Sequence, residues 1–219
     1  MSVTFVQLSD AQVAVGPLLV PLPTGIQAGD LLLLVVSSRG SATADKGFTT
    51  WNTVASGTTN RLYFFSKIAD GTETGNVTVA AGAIPITGNC GRFTSPNGFD
   101  ANSLYNWQPL IAATPGSTLV CPSMPNLAGE ITLCWARGSG GTVNGSQTIT
   151  GTNWSITTAI YEPPMMVLAG EKGSASAASS MTARFSNTAD WDPRIAGALS
   201  VREAPGARGG SGMWFGNNF

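Results

Sequence analysis

The sequence contains no histidine and few charged residues, which make up 11% of the chain. Without an imidazole, the Ser-His-Asp and Cys-His nucleophile systems and the His-ligated zinc sites are excluded. Glycine-rich phosphate-binding motifs, of the Walker or dinucleotide type, are also missing after the predicted strands. We therefore expect a non-enzymatic protein that needs no cofactor.

Cysteine is scarce: the chain has three, Cys90, Cys121 and Cys134, without a C-x-x-C spacing. An odd number of cysteines without that spacing indicates neither a disulfide framework nor a zinc site. We expect free thiols and no bound metal.

The chain also lacks an excess of charge of either sign. Its 11 Lys and Arg residues are scattered and its formal net charge is −1, so no basic patch is available to a nucleic acid. The longest apolar run, Leu31 to Val36, is far shorter than the roughly 20 residues that span a bilayer, and no signal segment precedes the first predicted strand. These features predict a soluble protein made in a cytoplasm, with neither nucleic-acid binding nor membrane insertion.

What the sequence does contain is a series of short β-branched and aromatic runs, separated by clusters of Gly, Pro, Asn and Asp. No window carries a sustained apolar stripe at helical spacing, so the pattern predicts an all-β fold with one core. The predicted strands are Val3 to Leu8, Leu18 to Leu22, Leu31 to Ser38, Arg61 to Ala69, Asn76 to Ala80, Gly88 to Thr94, Ile131 to Arg137, Trp154 to Tyr161, Met165 to Ala169, Met181 to Ser186 and Ala196 to Arg202.

A weak internal repeat indicates how these strands are arranged. The segment Gly29 to Leu33 (GDLLL) recurs 100 positions later as Gly129 to Leu133 (GEITL). Further matches follow in the same order: Arg39-Gly40 with Arg137-Gly138, Gly47 to Trp51 with Gly151 to Trp154, Lys67 with Lys172, and Ile86 to Gly88 with Ile195 to Gly197. Two such halves facing each other predict a Greek-key or jelly-roll β-sandwich with a two-fold internal repeat. Alternatively, the similarity is a chance one between β segments of low complexity.

The first repeated strand, Leu31 to Val36, is apolar at every position. Strand alternation places its odd-numbered residues on one face, which we assign to the core. The even-numbered residues Leu32, Leu34 and Val36 on the other face also need cover, from a loop of the same chain or from a neighbouring subunit. We expect the neighbour, and so predict these three residues as assembly contacts.

The composition changes after Ala204, where a Gly-rich stretch begins. We therefore divide the chain into a β-sandwich domain, residues 1–204, and a linker with an apolar C-terminal tail, residues 205–219. The tail residues predicted as assembly contacts are Met213, Trp214, Phe215 and Phe219. Alternatively, the tail folds back onto its own sandwich.

Two pairs of acidic residues are the only candidates for carboxylate chemistry. A glycosidase needs two carboxyl groups about 5 to 10 Å apart, and the sequence offers Asp70 with Glu73, and Asp190 with Asp192. Both pairs stand among Gly, Asn, Thr and Pro, where acidic side chains bind the backbone of their own turn. We interpret them as turn residues; a calcium or sugar site is the alternative for both pairs, and a depolymerase activity is a further alternative for Asp190 with Asp192.

Tryptophan provides a candidate ligand-binding surface, since an indole stacks on a sugar ring while its N–H binds a polar group. The residues predicted for this role are Trp51, Trp154 and Trp191, with Trp107 as a further candidate. Core packing is the alternative interpretation. The repeat matches Trp51 with Trp154, which favours a shared structural role.

Three segments carry a family resemblance: Ile26 to Val36 (IQAGDLLLLVV), Gly47 to Trp51 (GFTTW) and Phe64 to Val79 (FFSKIADGTETGNVTV). They resemble bacteriophage β-sandwich proteins of the tail-fibre, minor-tail and capsid-decoration type. The resemblance extends more loosely from Ser2 to Ala204. Its motifs are short and structural, so it implies an architecture and transfers no catalytic residue.

This resemblance implies a non-enzymatic structural protein on the surface of a virion, assembled in the host cytoplasm. Its expected partners are other virion proteins and further copies of itself, with a trimer or pentamer suited to virion symmetry. The alternative function is a carbohydrate-binding module that recognises host surface glycans.

Overall fold

The computed structural model describes residues 3–10, 12–56, 60–112, 118–120, 130–137, 148–150, 155–162, 165–172, 182–184 and 194–204. All 17 regular elements in these ranges are β-strands, which confirms the all-β prediction. Within the same ranges there is no helix of the length and apolarity needed to cross a membrane.

The first half of the chain forms nine strands in two antiparallel sheets. These strands are β1 (Thr4–Leu8), β2 (Gln12–Val15), β3 (Leu18–Pro21), β4 (Leu31–Ser38), β5 (Ala42–Ala44), β6 (Thr49–Ser56), β7 (Asn60–Ile68), β8 (Asn76–Ala81) and β9 (Pro85–Thr94). The large sheet has the order β1-β9-β4-β7-β6, with β2 also paired to β9, and the small sheet has the order β3-β8-β5.

The second half forms eight strands, again in one large and one small antiparallel sheet. They are β10 (Leu104–Ala112), β11 (Thr118–Val120), β12 (Ile131–Arg137), β13 (Thr148–Thr150), β14 (Ser155–Glu162), β15 (Met165–Lys172), β16 (Thr182–Arg184) and β17 (Arg194–Val201). The large sheet has the order β10-β17-β12-β15-β14, and the small sheet has the order β11-β16-β13.

The two large sheets pack face to face and bury one apolar cluster between them. Leu33 and Phe64 of the first large sheet meet Ile131, Leu133 and Leu199 of the second, and each of these side chains is at most 3% exposed. Burial of side chains of this size stabilises the fold by about 1.5–3 kcal/mol each before ordering costs. This packing confirms the β-sandwich.

A second core explains why β4 is apolar on both faces. Leu32, Leu34 and Val36 are 0% exposed and belong to a cluster with Val20 of β3 and Val77 of β8. Their cover therefore comes from the small sheet of the same chain. This corrects the expectation that a neighbouring subunit covers them, because fully buried side chains have no surface with which to form assembly contacts.

The start of β4 is fixed by a largely buried ion pair. Arg92 Nε lies 2.7 Å from Asp30 Oδ2, which also accepts a hydrogen bond from the backbone N–H of Gln27 at 2.8 Å. Arg92 Nη1 donates to the backbone carbonyl of Thr24 at 2.9 Å. The loop that precedes β4 is thus held against β9.

The strand pairings allow positions in the two halves to be compared. Leu32 of β4 pairs with Lys67, and Thr132 of β12 pairs with Lys172. The register of β6 on β7 shifts between Thr50 and Asn52, and that of β14 on β15 shifts between Ile156 and Thr158. Counted along β7 and β15 from the two lysines, both shifts fall at the same place. Trp51 therefore corresponds in register to Thr157, whereas Trp154, its match in the sequence, lies outside the described residues.

An indole fills the space over a glycine between the large sheets. Trp107 lies within the register shift of β10, between Tyr105 and Gln108. A Cβ atom built on Gly197 of β17 would lie 2.6 Å from Trp107 Cζ3. Only glycine leaves room for the ring at this position. Trp107 is thus part of the packing, as the core interpretation predicts.

Candidate functional site

A groove of about 470 Å³ opens beside β6 and the end of β7. Its lining combines the start of β4, the strand pair β6–β7 and the segment that joins the two halves of the chain. The lining residues are Leu31, Gly47, Thr49, Thr50, Trp51, Ser66, Lys67, Ile68, Asp100, Ala101 and Leu104. Its volume lies within the roughly 300–1,000 Å³ typical of small-molecule sites.

Trp51 links this groove to the sandwich core. It is partly buried and packs against the cluster between the large sheets. Its ring meets Phe64 edge-on at a centroid distance of 6.3 Å and Trp107 at 6.0 Å. Edge-to-face contacts of this kind stabilise aromatic clusters by about 0.5–1.5 kcal/mol each. The indole is therefore held firmly while it lines the groove.

Lys67 is the cationic residue of the groove, and the loop between β7 and β8, residues 69–75, holds it in place. Lys67 Nζ lies 2.7 Å from Glu73 Oε1 and 3.7 Å from Asp70 Oδ2. The Glu73 side chain is only 2% exposed, whereas that of Asp70 is 62% exposed. The ammonium charge of Lys67 is thus balanced by the carboxylates of this loop.

Asp70 and Glu73 also accept hydrogen bonds from the backbone of the loop between β7 and β8. Glu73 accepts hydrogen bonds from the N–H groups of Asp70 and Gly71, both at 2.9 Å. Asp70 Oδ1 accepts from the N–H of Thr72 at 2.9 Å. These bonds confirm the interpretation of Asp70 and Glu73 as turn residues.

The pKa values of the three charged groups move in the directions that favour their ionised forms. The hydrogen bond to Glu73 raises the pKa of Lys67. Burial raises the pKa of Glu73, but the hydrogen bonds from Lys67 and from backbone N–H groups outweigh it, so the net pKa is lowered. The hydroxyl and N–H of Thr72 lower the pKa of Asp70. Neither carboxyl group therefore shows the raised pKa that is typical of a glycosidase's general acid.

Asp100 brings a carboxylate from the connecting segment. Its Oδ1 accepts from the N–H of Asn102 at 2.8 Å and from the hydroxyl of Ser103 at 3.3 Å. The N–H of Asp100 in turn donates to Ser103 Oγ, at 2.9 Å. This short turn fixes the carboxylate at the groove. Nothing in the repeat or composition pointed to Asp100, because its role depends on where the connecting segment crosses the sandwich.

Other residues singled out from the sequence have different positions. Cys90 is a free, fully buried thiol whose pKa is raised by burial, as expected of a structural cysteine. Among the described residues, no group of three or more Cys, Asp and Glu side chains is arranged to hold a metal ion. The remaining candidates Trp154, Trp191, Asp190, Asp192, Met213, Trp214, Phe215 and Phe219 lie outside the described residues.

The described part of the chain therefore contains one aromatic, mixed-charge groove, built from Trp51, Lys67 and Asp100 and from neutral residues of the adjoining strands. Comparisons with protein-family models, with curated proteins and with solved structures find no match to this chain.

Proposed function

We propose that this chain is a non-enzymatic structural protein of a bacteriophage particle surface, either decorating the capsid or forming a short tail fibre or minor tail component. The observation that carries the proposal is the matching strand order of the two halves, which pack through their large sheets. A rigid module built from two such units has a large surface for assembly and no need of a catalytic cleft.

The strand order of each half supports a jelly-roll connectivity. In the first half, the chain alternates between the sheets: β3, β5 and β8 lie in the small sheet, while β4, β7 and β9 lie in the large one. The second half repeats this alternation with β11, β13 and β16 against β12, β15 and β17. Alternation between two facing sheets is typical of jelly rolls. A duplicated jelly roll accounts for the matching order more simply than chance does.

The neutral composition supports a role in a closed assembly. With a formal net charge of −1, copies of the chain repel one another weakly. Homo-oligomers with closed symmetry are the usual outcome for such modules, and a trimer or pentamer fits virion symmetry. The structural proposal therefore includes self-association and contacts with other virion proteins.

Light scattering of the purified full chain at tens of micromolar, together with antibody labelling of phage particles, tests this function. We expect a discrete oligomer and labelling at one site on the particle. A strictly monomeric protein that labels no particle would contradict the proposal. A matched antibody against an unrelated cytoplasmic protein gives the background of the labelling.

A second candidate function, carbohydrate binding, is favoured by the groove. An indole beside hydroxyl, ammonium and carboxylate groups matches the amphipathic surface of a sugar ring. Trp51, Lys67 and Asp100 supply these groups in one lining. A glycan array with the full chain tests this function, and a blank array would exclude it. A surface protein that binds glycans is compatible with the structural role.

A further inference from the structure

We propose that the groove at Trp51 selects a neutral hexose ring and rejects anionic sugars. This inference rests on the carbohydrate-binding function above and specifies its substrate class.

The apolar part of the groove suits one face of a pyranose. Trp51 supplies an indole held by Phe64 and Trp107, and Ile68 adds an aliphatic side chain that is 37% exposed. The C–H groups of a hexose stack on such a surface. Because the indole is held by the core, little ordering cost arises on binding.

The charge of the groove disfavours anions. Lys67 and Asp100 are its charged lining residues, and Glu73 already neutralises Lys67 at 2.7 Å. Among the described residues, the lining charge that forms no ion pair is therefore the carboxylate of Asp100. A uronic or sialic acid would bring a second negative charge into the same space, and like charges in proximity are unfavourable.

The carboxylate of Asp100 is oriented to accept hydroxyl groups. The hydrogen bonds from Asn102 and Ser103 both end on Oδ1. Among the described residues none donates a hydrogen bond to Oδ2, so this is the oxygen that we assign to a ligand, and hydroxyl-to-carboxylate hydrogen bonds are among the stronger neutral-to-ion contacts. Hydroxyl groups of Thr49 and Thr50, both exposed, provide further donors and acceptors.

The duplicated architecture indicates that the fold does not require this groove. Thr157 stands at the register shift of β14 on β15, where Trp51 stands at the shift of β6 on β7. This type of shifted strand pair therefore does not need an indole. The segment that carries Asp100 connects the halves, and so occurs once in the chain. Within the described residues, the aromatic ring and the carboxylate are therefore combined only at this groove, as expected of a site and not of a repeated packing element.

Calorimetry and saturation-transfer NMR on the full chain test the proposal with defined probes. The neutral probes are the methyl glycosides of glucose, galactose and mannose, and the anionic probes are glucuronic acid and N-acetylneuraminic acid. We expect at least one neutral glycoside to bind and both anions to bind at least tenfold more weakly. Asp100→Asn keeps the turn acceptor but removes the charge, and we expect it to weaken the neutral ligand roughly tenfold.

Two further variants separate the site from the fold. Trp51→Phe keeps an aromatic ring in the core and should weaken binding, whereas Thr53→Ala, exposed on the same strand, should leave it unchanged. Equal or stronger binding of an anion that depends on Trp51 would overturn the neutral class and leave carbohydrate binding intact. No binding of any probe, or binding unaffected by Trp51→Phe and Asp100→Asn, would overturn the proposed site.

Discussion

Gly197 shows how strictly one residue of the sandwich interface is determined. It shares a face of β17 with Ile195 and Leu199, and the ring of Trp107 occupies the space that a side chain would need. At this position the requirement for glycine comes from the neighbouring ring, since no left-handed backbone angle is present. A residue of the second half thereby determines how Trp107 lies against Trp51.

Gly197→Ala should therefore destabilise the protein by about 1–3 kcal/mol, the usual cost of an added core methyl group. Displacement of Trp107 should also change the near-ultraviolet circular dichroism. Gly82→Ala is the matched control, because a Cβ atom at Gly82 meets nothing within 4 Å. Chemical denaturation of the two variants measures the difference, and equal stabilities would show that Trp107 can move at little cost.

At the scale of elements, the loop between β7 and β8 contains the most clearly pH-dependent contact of the described structure. The lowered pKa of Glu73 means that its contribution is present above the ordinary value of 4.5 and is lost as the pH falls through the folded value. The raised pKa of Lys67 means that its contribution is present below 10.5 and is lost as the pH rises through its folded value. The Lys67–Glu73 pair thus stabilises this loop between the pH at which Glu73 is protonated and the pH at which Lys67 loses its proton.

Glu73→Gln should lower the free energy of unfolding by about 1–3 kcal/mol at pH 7, the range for hydrogen bonds to charged groups. The difference from the unmodified protein should shrink as the pH falls from 4.5 through the lowered folded-state pKa of Glu73, below which both proteins carry a neutral side chain. Urea denaturation across this pH range measures it. A difference in unfolding free energy that stays constant with pH would mean that the loop is held by its backbone bonds alone.

β4 offers a direct comparison of the two cores, because adjacent leucines point to opposite faces. Leu33 packs between the large sheets and Leu34 packs beneath the small sheet, at 1% and 0% exposure. Leu33→Ala and Leu34→Ala should each cost about 2–5 kcal/mol. We expect one cooperative transition in both variants, measured by fluorescence and circular dichroism. Separate transitions for the two probes would show that the cores unfold independently.

The strands that sequence reasoning found are those with strong local signals. The predicted bounds of Leu31 to Ser38 and Ile131 to Arg137 agree with β4 and β12, which are apolar runs between glycines. The sequence pattern did not predict β6, whose sequence TTWNTVAS alternates poorly because of the register shift at Trp51. It also missed β10, where Pro109 and a further shift interrupt the pattern. Short strands such as β5 depend on their neighbours more than on their own residues.

At the scale of the whole molecule, the cover of Leu32, Leu34 and Val36 could not be predicted locally. The pattern shows that both faces of β4 are buried, but the small sheet that covers one face is assembled from β3, β5 and β8, which are distant in sequence. The set of residues that lines the groove could not be predicted locally either. Trp51 was predicted as a candidate ligand contact, whereas Lys67 and Asp100 join it only through the tertiary fold.

Assembly of the whole molecule can be tested separately from its folding, by removing the C-terminal tail. Deletion of residues 209–219 should leave the melting temperature nearly unchanged and weaken oligomerisation, because Trp214 and Phe215 would each contribute about 1.5–3 kcal/mol when buried against a neighbour. Differential scanning calorimetry and light scattering measure the two effects. A truncated chain that unfolds, or that assembles as well as the full chain, would contradict the predicted role of the tail.

The register shift at Trp51 has a consequence for solubility. β6 forms an edge of the large sheet within the described residues and contains no charged side chain. An uncharged edge strand invites pairing with other chains and so promotes aggregation. Here the bulge bends the edge, and the backbone N–H of Thr53 is already bound to Asn52 Oδ1 at 2.7 Å. A protein with so few charges thus protects this edge by backbone geometry and by a local amide, where others place a lysine.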